Sequence, residues 1–107
     1  MMKDIKTTEE FQTIIDQDSL SIVKFYAGWC PDCVRMDMFI PEIIEQHSEY
    51  QWYQLNRDDF MELAQSYEVM GIPSLLVFKN GEKLAHLHSA NAKTPESVEA
   101  FLQENQA

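Results

Sequence analysis

From Leu20 to Ala27 the chain reads Leu-Ser-Ile-Val-Lys-Phe-Tyr-Ala, and from Pro31 onward its apolar residues fall at helical spacing. A nearly continuous apolar run of this length is a strand covered on both faces, which requires a sheet with layers on either side. A helix beginning a few residues after such a strand makes the first half of a parallel crossover unit. The fold class is thereby narrowed to α/β. The five residues at the junction are Trp29-Cys30-Pro31-Asp32-Cys33, which contain both of the chain's cysteines.

The other elements fall into order around that unit. Thr7-Thr8-Glu9-Glu10 has the form of a capping box opening a helix with Phe11, Ile14 and Ile15 on one face, fading near Gln17. From Pro31 the spacing is helical, with Val34, Met38, Ile40, Ile43 and Ile44 apolar and charges between them, and a kink rather than a stop is expected at Pro41. Gln51 to Leu55 reads as a short aromatic strand. Asp59 and Glu62 suggest a second box-like start, for a helix through Tyr67. Ser74 to Lys79 is a buried strand, and Asn80-Gly81 is a two-residue hairpin turn leading into an antiparallel partner from Glu82 to His88. Thr94-Pro95-Glu96 opens a last helix with Val98, Phe101 and Leu102 inward. The predicted order is (weak β)αβ–α–β–α–β–β–α, a mixed sheet with helices on both faces, built by residues 1–107 as one domain.

The 107 residues carry 8 Lys+Arg against 18 Asp+Glu, a net charge of −10. That balance argues against nucleic acid or an anionic membrane surface as partner. No apolar stretch approaches the roughly 20 residues that span a bilayer. The N-terminus, Met-Met-Lys-Asp-Ile-Lys, lacks the apolar h-region of a secretory signal, so a cytoplasmic home is expected.

The placement of Cys30 and Cys33 points to thiol chemistry. A helix start offers unpaired N–H groups and the positive end of the dipole, which favour thiolate, the reactive form of cysteine. Two intervening residues let the second sulfur reach the first, so one can attack a disulfide and the other resolve the mixed intermediate. A metal site needs about four ligands and the pair supplies two. His86 and His88 share one strand face, but nothing in the sequence brings them to the thiols, and they read as surface residues. His47 reads as a helix-end residue near terminal carbonyls, Met36, Met38 and Met61 as core filler, and Trp52 and Tyr53 as packing against the sheet.

With these residues in view, the chain resembles the thioredoxin family over essentially its whole length. Phe25-Tyr26-Ala27-Gly28-Trp29-Cys30-Pro31-Asp32-Cys33 is similar to the strand, aromatic residue and redox pair of that family. Gly71-Ile72-Pro73-Ser74, about 40 residues later, is similar to its cis-proline segment, and Phe78-Lys79-Asn80-Gly81-Glu82 to its terminal hairpin. The resemblance implies a thioredoxin fold and a thiol–disulfide oxidoreductase without a bound cofactor. It implies an exposed attacking Cys30, a buried resolving Cys33 and Trp29 as an apolar wall over the site. Pro73 would be the cis residue, and the Ile72 backbone would pair with an extended substrate. Met70, Gly71 and Ser89 would line the same surface. Disulfide-containing proteins are the implied substrates of a monomer, with an external reductant that is either a flavin-dependent reductase or a low-molecular-weight thiol.

The chain departs from the family pattern at several positions. Pro31-Asp32 stands where Gly-Pro is usual, and the Trp-Cys-Pro-Asp-Cys motif is similar to that of thioredoxin-related proteins with narrower substrate ranges. The family's buried acid maps to Lys24 and its buried lysine to Gln54. The groove glycine maps to Ser89, and the helix proline sits about a turn later, at Pro41. Asp32 is expected to raise the Cys30 pKa. Lys24, if protonated, would act the other way on Cys33. If desolvated, it would release its proton and serve as a base, and if it snorkels to the sheet end it has neither role. The expected couple is of the reducing type, since Asp32 disfavours the thiolate; a potential well above about −200 mV would contradict this. A redox-sensing adaptor that holds a partner in the cis-proline groove with little turnover is the alternative.

Overall fold

The computed structural model describes residues 2–105. Five strands form one sheet in the order β1-β3-β2-β4-β5: β1 (Lys3–Asp4), β2 (Ser21–Tyr26), β3 (Gln51–Asn56), β4 (Ser74–Lys79) and β5 (Glu82–Leu87). The strands β1, β3 and β2 run parallel, and β4 is antiparallel to both its neighbours, β2 and β5. The helices are α1 (Thr8–Ile15), α2 (Pro31–Gln46), α3 (Met61–Ser66) and α4 (Pro95–Glu104), with short 3-10 turns at Arg57–Asp59 and Ser89–Asn91.

Side chains alternate across a strand, so the apolar runs feed two cores at once. Ile22, Leu75 and Val77 pack with Met36, Ile40, Ile43, Val98, Phe101 and Leu102 on the α2/α4 face. Val23, Phe25, Leu76 and Phe78 pack with Phe11, Ile14, Ile15 and Ala64 on the α1/α3 face. Both faces of the sheet are covered, as the uninterrupted apolar strand requires. Among the described residues, no helix is long and apolar enough to cross a membrane.

Local signals act where they were expected to. Thr7 Oγ1 receives the Glu10 N–H at 3.0 Å, while the Glu10 carboxylate reaches one residue further back than a standard box, to the Lys6 N–H. Thr94 Oγ1 receives the Ser97 N–H at 3.2 Å. Asn80 and Gly81 both take positive φ, at 52° and 84°, as the tight turn needs. The turn also docks: Gly81 N–H donates to Ile15 O at 2.8 Å and Asn80 N–H to Gln17 O at 2.9 Å, tying the hairpin to the end of α1.

Several expectations are corrected. No capping box opens α3: Phe60 occupies its N-cap without a side-chain bond, and Asn56 instead caps the 3-10 turn by accepting the Asp58 N–H. The buried stripe of α2 is Cys33, Met36, Ile40 and Ile43, while Val34 and Met38 face solvent. Cys33 already occupies the inward direction at the helix start, and Val34 is rotated about 100° from it. Met61 is exposed as well, so only Met36 of the three methionines fills the core. Pro41 lies inside α2 and does not stop it. The His47 side chain pairs with Glu99 of α4 and, at 3.5 Å, with Glu49, rather than with helix-end carbonyls.

Candidate functional site

Cys30 is the N-cap of α2, with extended backbone, and Pro31 follows at the first helical position. Pro31 has no N–H to leave unpaired there, and its ring presets the helical φ. The cap acceptor is the cysteine itself: Cys33 N–H donates to Cys30 Sγ at 3.1 Å. The two sulfurs form a disulfide, with the Cα atoms 5.2 Å apart. Ala27, Tyr26 and Ile72 pack around it.

The Ile72–Pro73 peptide bond is cis, and the Ile72 carbonyl oxygen lies 3.8 Å from Cys30 Sγ. Pro73 is buried behind it. A shallow groove of about 420 Å³ runs past the disulfide between Trp29, Arg57, the Met70–Ile72 segment, Ser89 and Lys93, with Cys30, Pro31 and Asp32 along it. Trp29, Met70, Gly71, Ile72 and Ser89 therefore line one groove with Cys30. A Cβ on Gly71 would meet the Ser89 hydroxyl and come within 3.3 Å of the Ser89 Cβ, so any other residue there requires Ser89 to shift.

One expectation about the cysteines fails. Cys30 is not exposed; it is 4% accessible, against 2% for Cys33. Its sulfur is bonded to Cys33 and turned toward Ala27 and Ile72, leaving a sliver at the groove floor. The two still differ, because Cys30 lines the groove and Cys33 does not.

Trp29 is 63% exposed but held: its Nε1–H donates to Asp58 Oδ2 at 2.8 Å, and the Arg57 guanidinium lies 5.8 Å from its ring centroid. The indole is a fixed wall rather than a loose one. Asp32, in the first turn of α2, does not stand as a lone charge. Lys93 Nζ donates to its Oδ2 at 2.6 Å and Arg35 Nη1 to its Oδ1 at 3.3 Å. The hydrogen bond from Lys93, then its charge, hold the carboxyl below its ordinary range against a small opposing effect of desolvation.

Lys24 does not snorkel to water. It is fully buried in β2, and its ammonium is paired with Asp37 on α2. Asp37 follows Cys33 by four residues, so it lies one helical turn from the resolving position, with its carboxylate largely exposed. The chain has thus inverted the polarity of the buried charge that its resemblance implied: lysine on the strand and carboxylate on the helix. Gln54, opposite Lys24 in the β2–β3 register, donates to Asp4 instead. Burial, then Asp4, Asp37 and Asp59, hold the neighbouring Tyr26 hydroxyl above its usual range.

Sequence reasoning missed Asp37, Arg57, Asp58 and Lys93. The four-residue offset from Cys33 is a usable signal for Asp37; the others join the site through tertiary packing and carry no local signature. The histidines His86 and His88 stack with centroids 3.7 Å apart, and His86 Nδ1 is 3.1 Å from Lys83 Nζ. His86 is therefore partly enclosed rather than a free surface residue. Among the described residues, no group of three or more His, Cys, Asp or Glu side chains could hold a metal ion.

The sequence matches the family model described as thioredoxin over residues 3–104. It is 40% identical over 91 residues to Thioredoxin-1 of Saccharomyces cerevisiae, covering 85% of this chain and 88% of that protein. It is 32% identical over 103 residues to Thioredoxin-1 of Schizosaccharomyces pombe, covering 95% and 100%. Among solved structures, Plasmodium falciparum thioredoxin superposes with a TM-score of 0.87 at 24% identity, covering 98% of this chain and all of that one.

Proposed function

The chain belongs to the thioredoxin family and is a thiol–disulfide oxidoreductase, and from that premise we propose how its residues divide the work. Cys30 is the attacking sulfur. As thiolate it displaces one sulfur of a substrate disulfide, which leaves as thiolate and takes up a proton. The resulting Cys30–substrate bond is then broken by Cys33, which forms the Cys30–Cys33 disulfide and releases the second substrate thiolate. Two electrons pass from the dithiol to the substrate. The observation that carries this assignment is that Cys30 both caps α2 and lines the groove, whereas Cys33 does neither.

Trp29, Met70, Gly71, Ile72 and Ser89 form the substrate surface, with Pro73 holding the Ile72 carbonyl toward the sulfur. An extended peptide fits such a groove by pairing with exposed backbone. Lys24 and Asp37 neutralise each other one helical turn from Cys33, so neither charge acts alone on the resolving step. The cycle is closed by a flavin-dependent reductase or a low-molecular-weight thiol. The site is complete within one chain, which is compatible with a monomeric working form. A cytoplasmic site of action is proposed, since thiols there are kept reduced and a dithiol reductant can be recharged. Membership of an oxidoreductase family does not favour the adaptor reading.

Insulin-disulfide reduction with each of the two reductants tests turnover, and Cys33→Ser tests the order of attack. The variant should accumulate mixed disulfides on Cys30 that are released by dithiothreitol. Accumulation on Cys33 in Cys30→Ser, with none in Cys33→Ser, would reverse the assignment.

A further inference from the structure

The Asp32 carboxylate sits two residues after Cys30, in the same first turn of α2. Left alone, it would repel the sulfur's negative charge and draw on the same helix-end field. It is not left alone. Lys93, 61 residues away in the segment between the Ser89–Asn91 turn and α4, binds its outer oxygen, while Arg35 approaches the other oxygen from one turn along α2. Asp32 and Lys93 both line the groove beside Cys30. The charged groups around that groove are Asp32, Lys93 and Arg57, with Arg35 on Asp32 and Asp58 on Trp29 and Arg57.

We propose that Lys93 is a positioning residue for the dithiol: by holding the Asp32 carboxylate, it keeps that charge from destabilising the Cys30 thiolate. Its role rests on the reading above that Cys30 is the attacking sulfur. The motif's own acid would make the centre slow and strongly reducing, and Lys93 offsets that from outside the motif. The bridge also ties the start of α2 to the approach of α4, which fixes one wall of the groove.

The size of the effect follows from Coulomb's law. Two unit charges about 6 Å apart in water-like surroundings shift the thiolate equilibrium about threefold, an upper limit here because Arg35 stays on Asp32. The test uses the reduced protein as wild type, Lys93→Gln, Lys93→Arg, Asp32→Asn and Asp32→Asn/Lys93→Gln. Alkylation at Cys30 is followed against pH by mass spectrometry, and the dithiol is equilibrated with glutathione. Lys93→Gln should slow alkylation by up to about threefold below the thiol pKa. Above that pKa it should shift the glutathione equilibrium toward the disulfide by the same factor, up to about 14 mV at 29.6 mV per tenfold. Lys93→Arg should behave as wild type. In the Asp32→Asn background, Lys93→Gln should leave both readouts unchanged.

An unaltered thiolate titration in Lys93→Gln, whatever happens to its melting temperature, would overturn the proposal and leave Lys93 a tether. An equal effect with and without Asp32 would also overturn it, because Lys93 would then act on the sulfur directly. A wild-type Cys30 with no thiolate titration would instead bring down the nucleophile reading, and this role with it.

Discussion

Asp37→Asn and Lys24→Met remove opposite halves of one ion pair, and the structure predicts very unequal costs. The Lys24 side chain is 1% exposed and the Asp37 side chain 60%. Removing the carboxylate leaves an ammonium enclosed among apolar side chains with its partner gone. A contact pair at an effective dielectric of about 20 is worth about 4 kcal/mol. Because Asp37 is more than half in water, screening cuts that figure to about 2–3 kcal/mol. Lys24→Met does the reverse: it places an apolar chain of similar length in the core and leaves Asp37 hydrated. Replacement of a buried charge by an apolar residue of similar volume is often neutral or stabilising, so stability should stay within about 1 kcal/mol of wild type. Urea unfolding of the oxidised protein, with slopes compared to confirm two-state behaviour, measures both. A loss under about 0.5 kcal/mol for Asp37→Asn, or a larger loss for Lys24→Met than for Asp37→Asn, would refute the reasoning, which puts the penalty in an unpartnered buried charge.

Gly71→Ala should lower both stability and insulin reduction, by about 1–2 kcal/mol in the former, because the new methyl meets Ser89. Adding Ser89→Gly should recover most of the loss, and a double-mutant cycle without coupling would count against the contact. Burial, then His88 and Lys83, push His86 down to about 4, below its ordinary 6.5. The unfolded chain therefore takes up this proton first as pH falls, so the contribution is complete above about pH 6.5 and is lost toward pH 4. Discounted for partial exposure, it amounts to about 1–2 kcal/mol; unfolding free energies across this range should flatten in His86→Gln, and an unchanged slope would contradict the assignment. Thr94→Ala should cost about 1 kcal/mol in urea unfolding, since the cap of α4 loses its acceptor for the Ser97 N–H.

Much of the architecture is written within a few residues of where it forms. Thr7 and Thr94 cap their helices, Asn80-Gly81 turns between β4 and β5, and Leu20 to Ala27 contains the doubly covered strand. These features depend on backbone dihedrals, orphan N–H groups and side-chain period, all local quantities. Apolar character alone did not predict burial on α2, because Val34 and Met38 flank the inward stripe without belonging to it. Helical phase was set by Cys33 and Met36, and the choice between two overlapping apolar patterns belongs to the sheet beneath. The box at Asp59 does not form because Asn56 caps an earlier 3-10 turn that takes in Asp59, so Phe60 becomes the N-cap of α3 with Glu62 in its first turn.

For the site, local sequence places two sulfurs at a helix start, while the association of Gly71-Ile72-Pro73 with them was implied only by the family resemblance. What tertiary structure decided is the electrostatics. Lys24 finds Asp37 across 13 residues and Asp32 finds Lys93 across 61, and neither pairing has a local signature. The physical reason is range: capping and periodicity act within one or two turns of backbone, whereas the partner of a charge depends on which surfaces the packed layers bring together.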